Sequence, residues 1–166
     1  VITLGEGEDV RTAWARAYDL VHLLHEVGEA IRRFREIEDE AWHMVRHYNE
    51  LIDEAHRDIG RYTAEVEKWE ARAREAEEEH GRIPRTIMCG LGDAEERLEQ
   101  AKERLSEYER KQKWYEEMAK RASELSEQLS DVMRNADFTK VQEFLAGPIS
   151  DFIDTWHKGP EGGEER

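Results

Sequence analysis

VRTAWARAYDLVHLLHEVGEAIRRFREIEDEAWHMVRHYNELIDEAHRDIGRYTAEVEKWEARAREAEEEH, residues 10–80, holds no proline and spaces its apolar residues at alternating steps of three and four. The series runs Val10, Ala13, Ala17, Leu20, Leu24, Val27, Ile31, Phe34, Glu38, Ala41, Val45, Tyr48, Ile52, Ala55, Ile59, Tyr62, Val66, Trp69, Ala73, Ala76 and His80, with Glu38 as its acidic interruption. A three-four repeat kept over about ten heptads specifies a helix in a left-handed supercoil. At about 1.5 Å per residue that helix would run roughly 105 Å, and alone in water it would be unstable, so it needs a partner along its length.

The partner is expected in the same chain. Beyond Gly81 lie Ile83-Pro84 and Cys89-Gly90-Leu91-Gly92, a cluster of breakers that predicts the end of the first helix and a reversal. Asp93 reads as the N-cap of a second helix, with Glu95 and Glu96 placed where the helix dipole favours negative charge. Its repeat is Leu98, Ala101, Leu105, Tyr108, Gln112, Tyr115, Ala119 and Ala122, sliding to Met118, Leu125, Leu129, Val132 and Ala136. From Phe138 the chain turns strongly apolar, and Gly147-Pro148 is expected to break this stretch into two short helices.

The prediction is therefore an all-α fold, a long antiparallel coiled-coil helical hairpin with short C-terminal helices packed on the open end. Its parts are a helix over 9–81, a tip over 82–92, a returning helix over 93–136 and short helices over 138–146 and 149–157. Outbound positions 10–80 and inbound positions 93–157 nearly match, which predicts a full-length return. Residues 1–8 are expected to be an extended segment, and the Gly- and Glu-rich residues 158–166 a disordered tail. Trp14, Val21, Leu23, Ile37, Trp42 and Met44 flank the first seam, a width that predicts three helices at the open end or a dimer interface.

Composition narrows the function. Charged residues make up 39% of the chain, rich in Glu, Ala, Arg and Leu as long helices are. A net charge of -15 argues against direct nucleic-acid binding, which rests on Lys and Arg displacing counterions, and against an anionic membrane surface. The lone cysteine, Cys89, excludes an intrachain disulfide and fits a reducing, cytoplasmic setting. No stretch nears the roughly 18 apolar residues of a membrane span, and no signal-peptide pattern opens the sequence. The first residue is Val1 and not Met, as in a segment of a longer chain.

Chemistry-bearing motifs are weak. Glu40-x-x-His43 matches an element of di-iron bundles and Asp53-x-x-His56 is similar, but Ala41 and Val45 on the seam turn Glu40 and His43 outward. His43 with His47, or His22 with Glu26, offers fewer ligands than a metal site requires. Glu36-x-x-Asp39 followed by Glu50-x-x-Asp53 resembles the magnesium-holding carboxylates of MazG-type nucleotide pyrophosphatases, a spacing that chance supplies in so acidic a chain. No phosphate loop, nucleophile elbow or dinucleotide turn is present, and Cys89 has no neighbouring His. The expectation is thus no enzyme, no cofactor and no metal.

Two surfaces stand out instead. Between Gly81 and Gly92 the tip carries Arg82 and Arg85 and no acid, with apolar Ile83, Ile87, Met88 and Leu91 where a turn needs only polar residues. Those apolar groups either cap the coil or dock a partner. At the open end Trp14, Trp42, Phe138, Phe152 and Trp156 are candidates for partner binding or self-association. The leading expectation is a structural or adaptor protein whose partner is another protein, with a homodimer as one form. The runner-up is an acidic inhibitor that mimics DNA on a basic surface, and a MazG-like pyrophosphatase comes third.

Overall fold

The computed structural model describes residues 10–135 and 137–163. The fold is all-α: two long helices packed together as a hairpin, followed by short C-terminal helices. Helix α1 spans Val10–His80 and α2 spans Arg85–Arg134. Helix α3 (Phe138–Phe144), a π turn (Leu145–Ile149), α4 (Ser150–Lys158) and a 3-10 turn (Pro160–Gly163) complete it. The chain divides into two compact units, His43–Trp114 and the remainder on either side of it.

In the His43–Trp114 unit the partner contacts fall in descending order along α1 as they rise along α2, so the two helices run antiparallel. Trp69 lies against Gly90, Glu65 faces Arg97 at 3.6 Å, Asp58 faces Arg104 at 3.9 Å, and Tyr48 meets Tyr108 with ring centroids 6.0 Å apart. The seam is built on small residues: Ala55, Ala73, Ala76, Ala94 and Ala101 are buried, with Val45 and Val66. Larger seam members such as Ile52, Ile59, Tyr62, Leu98 and Leu105 lie half-buried over them. Gln112, polar and on the predicted seam, donates from Nε2 to the Val45 carbonyl at 3.1 Å and to Asn49 Oδ1 at 2.5 Å.

The reversal is tighter than the breaker residues suggest. Gly81, at φ 70°, ends α1 with its N–H donating to the Glu77 carbonyl at 2.8 Å, a left-handed cap that suits glycine. The Pro84 carbonyl already accepts from Ile87 and Met88 N–H groups at 3.1 Å, so α2 starts at Arg85. The predicted tip over 82–92 thus shrinks to four residues, 81–84, and Asp93 is not an N-cap but an exposed residue inside the helix. The cause is packing. The seam continues backward from Leu98 through Ala94 and Leu91 to Ile87, and this burial outweighs the roughly 1 kcal/mol that each internal glycine costs a helix.

In the other unit the core gathers Leu23, Val27, Ala30, Phe34 and Ile37 of α1, Ala122, Leu125 and Leu129 of α2, and Val141, Ile149 and Phe152 of the C-terminal segment. Three helical layers meet there, one of the two outcomes the wide stripe predicts. Ile37, fully buried, takes the position that the predicted seam gave to Glu38, and the acid is left half-buried at the edge. Val10 and Leu24, placed on the seam by periodicity, are instead exposed, because the buried face of α1 begins at Leu23.

The returning arm also ends earlier than predicted. Helix α2 stops at Arg134, not 136; Ala136 lies outside the described residues. Asp137 caps α3, its Oδ1 accepting from Lys140 N–H at 3.2 Å. The segment then doubles back, bringing Phe152 to Phe34 (ring centroids 6.0 Å apart) and Trp156 to Tyr115 (5.9 Å, edge to face). The expected full-length return to 157 is therefore corrected to a return followed by a third layer. Gly147-Pro148 does not break the helix. Pro148 has no N–H to give the Phe144 carbonyl, and the backbone widens into a π turn over Leu145–Ile149 that keeps the helical path. The short helices consequently end at Phe144 and begin again at Ser150, rather than spanning 138–146 and 149–157. Part of the predicted tail is ordered: Lys158 closes α4, Gly159 turns at φ 73°, and Pro160–Gly163 is helical. The segment 1–8 and residues 164–166 lie outside the described residues.

Gly90 and Gly92 make opposite predictions. A Cβ on Gly90 would come within 2.7 Å of the Trp69 indole, a rigid ring, whereas one on Gly92 meets nothing within 4 Å. Gly90→Ala should lower stability by about 1–2 kcal/mol as overpacking outweighs helix propensity, and Gly92→Ala should raise it by about 0.5–1 kcal/mol. Paired thermal melts of the two variants decide this.

Candidate functional site

At the turn, Ile83, Ile87 and Leu91 are half-buried. Arg82 and Arg85 are exposed beside them. Met88 projects outward, 60% exposed, as the large apolar side chain the turn leaves open. Cys89 is exposed as well. Of the five tip candidates, Ile83, Ile87 and Leu91 are thus half-buried, and Arg85 and Met88 are exposed.

At the other end the aromatic candidates separate. Phe152, at 5% exposure, belongs to the core against Phe34, and Trp156 is half-buried edge-on to Tyr115. Trp42 and Phe138 are just over one third exposed. Trp14 is 73% exposed and does not stand alone: Tyr18 is 73% exposed, Val21 66%, Val10 63% and Leu24 45%. These five lie on the first turns of α1, upstream of or beside the point where the helix enters the core. Sequence reading assigned Val10 and Leu24 to the internal seam and passed over Tyr18. The signal was present, because Leu23, Val27, Ala30 and Phe34 already define one face and Val10, Trp14 and Val21 fall off it.

Among the described residues no three His, Cys, Asp or Glu side chains converge to hold a metal ion. Glu40, His43, Glu36, Asp39, Glu50 and Asp53 are all exposed. His22 and Glu26 form an exposed i, i+4 contact of 3.1 Å. A shallow groove between α1 and the C-terminal segment has an apolar floor of Ala30, Leu145, Ile149 and Ile153 under a rim of mixed charge. Among the described residues no helix is long and apolar enough to cross a membrane. No protein-family model, curated protein or solved structure matches the chain.

On α2, Lys111 lies 2.8 Å from Glu107. The hydrogen bond first, the charge of Lys111 second and that of Arg110 last hold the Glu107 carboxyl below its ordinary range. A depressed carboxyl contributes to stability above its unfolded value, and that contribution fades as pH falls through the folded one. Titration of Glu107 followed by NMR should therefore show a midpoint below the usual carboxylate range in the native protein, returning towards it in Lys111→Met. Phe152→Ala, a core truncation by its burial, should cost about 3–5 kcal/mol in urea unfolding. A loss under about 1 kcal/mol, typical of surface positions, would return Phe152 to the surface candidates.

Proposed function

We propose that this protein is a non-enzymatic adaptor, a hairpin of coiled-coil character that joins or spaces partner proteins through apolar contacts. The observation that carries this reading is the run of large apolar side chains left open on the first turns of α1, with Met88 as a smaller counterpart at the turn. Elsewhere the outer faces of a chain with net charge -15 are densely charged, and isolated exposed apolar residues are ordinary, but a contiguous run marks an interaction surface. The grooves described here are open and lined by mixed charge. An apolar contact also distinguishes this function from acidic inhibition, because it survives salt that screens charge.

Photo-crosslinking groups at Val21 and Met88 should capture the same partners at low and high ionic strength. Capture through the stripe should fall in Trp14→Ser/Val21→Ser, and capture through the turn in Ile87→Ser/Met88→Ser. Complexes that dissolve steeply with salt and ignore both double substitutions would replace the adaptor with an acidic inhibitor.

A further inference from the structure

The open stripe of α1 is spaced as a seam of its own. Val10, Trp14, Ala17, Val21 and Leu24 recur at steps of four, three, four and three, which puts them on one helix face. The core is reached through a different face, whose buried members begin with Leu23, Val27 and Ala30. One face is thus satisfied within the chain, while the other has the spacing of a helix contact, with Val10, Trp14, Val21 and Leu24 exposed around a half-buried Ala17.

The order of sizes along this second seam suits a pairing with itself. Laid antiparallel on a copy about an axis at Ala17, Trp14 meets Val21, Val10 meets Leu24, and Ala17 meets Ala17. Large side chains then face smaller ones, the alanine on the axis lets the backbones approach, and each off-axis contact occurs twice, as a two-fold interface requires. The area is adequate. With aromatic side chains worth roughly 150–250 Å² each, the stripe offers on the order of 500 Å² per copy and about 1,000 Å² for the pair, the lower bound for a specific interface.

Charge favours this end as well. The chain carries -15 overall, yet from Val10 to His25 there are two arginines, Arg11 and Arg16, against one acid, Asp19, a local excess of one positive charge with His neutral. Two acidic chains therefore meet over these turns with less repulsion than their net charge alone would give. Because the helix is formed before the contact is made, association has little backbone ordering to offset.

The geometry points to a homodimer in which the first four turns of α1 pack antiparallel on the same turns of a second copy, about a two-fold axis near Ala17. This rests on the adaptor reading and names the occupant of its main surface. Sedimentation of the full chain should give twice the chain mass, falling to the monomer on dilution. Trp14→Glu/Val21→Glu should weaken the dimer at least 30-fold, the effect of losing a buried aromatic anchor, while Met88→Ser leaves it unchanged. Far-ultraviolet circular dichroism checks that each variant keeps its helix content.

Orientation is tested by oxidation in a Cys89→Ser background. Ala17→Cys should cross-link to itself, and Val10→Cys should cross-link to Leu24→Cys but not to itself. A monomer at every concentration, a dimer indifferent to Trp14→Glu/Val21→Glu, or self-cross-linking of Val10→Cys would each overturn the dimer. A monomer that still captures partners through Val21 leaves the adaptor standing with a foreign occupant. A dimer that captures none removes the adaptor and keeps the self-association.

Discussion

Alanine at the seam sets how closely α1 and α2 approach, and the remaining packing follows from that approach. In the His43–Trp114 unit the buried positions are largely Ala55, Ala73, Ala76, Ala94 and Ala101, and among the described residues no polar or charged side chain is buried. A methyl group contributes only about 0.8 kcal/mol on burial, so alanine alone does not hold two helices together. Its role is to bring the backbones near enough for Tyr62, Trp69, Leu98 and Leu105 to lie over the neighbouring helix and exclude water from both sides. Gly90 is the extreme of the same rule. There the neighbouring helix gives up even the methyl so that the Trp69 indole can lie flat, with Arg72 stacked on the ring at 4.9 Å.

Buried alanines interlock little, so they do not by themselves fix the register of the two helices. Gln112 supplies what the alanines lack. Its two hydrogen bonds to Val45 and Asn49 tie one position of α2 to one turn of α1, and any other register would leave the amide half-buried without them. The exposed pairs Arg97–Glu65 and Arg104–Asp58, each worth about 0–1 kcal/mol, add less. In the second unit the register is fixed differently, by the shapes of Phe34, Phe152, Leu125 and Leu129 meeting in one core.

Periodicity made most of this legible. The all-α class, the antiparallel pairing and the third layer at one end can be read from the spacing of apolar residues. What the sequence reading lost were places where a local rule met a packing gain. The glycines at 90 and 92 read as breakers, yet Ile87, Leu91 and Ala94 continue the seam through them. Gly147-Pro148 reads as a break, yet a π turn absorbs the missing donor because Val141, Ile149 and Phe152 must reach the same core. Of the candidate surfaces, Trp14 and Met88 were visible as unexplained apolar residues. Phe152 is in the core, and an aromatic in a short amphipathic helix has the same spacing whether it faces the core or a partner.

The apolar stripe on α1 also has to be presented as a helix to act as a surface, and among the described residues none upstream of Leu23 is more than half-buried to enforce that. Alone, a segment of this length falls at or below the roughly 12–15 residues at which an isolated helix becomes marginal in water. It is not alone, however, because α1 is continuous from Val10 to His80, so these turns extend an existing helix and carry no nucleation cost. Their composition favours extension: Arg11, Ala13, Ala15, Arg16, Ala17 and Leu20 are strong helix formers, and no glycine occurs between Val10 and Gly28. The packed part of α1 thus acts as the nucleus for an unpacked part, holding Trp14, Tyr18 and Val21 at fixed spacing without burying them. That is the arrangement in which apolar side chains can meet a partner with little further ordering, and it is set by the continuity of one helix.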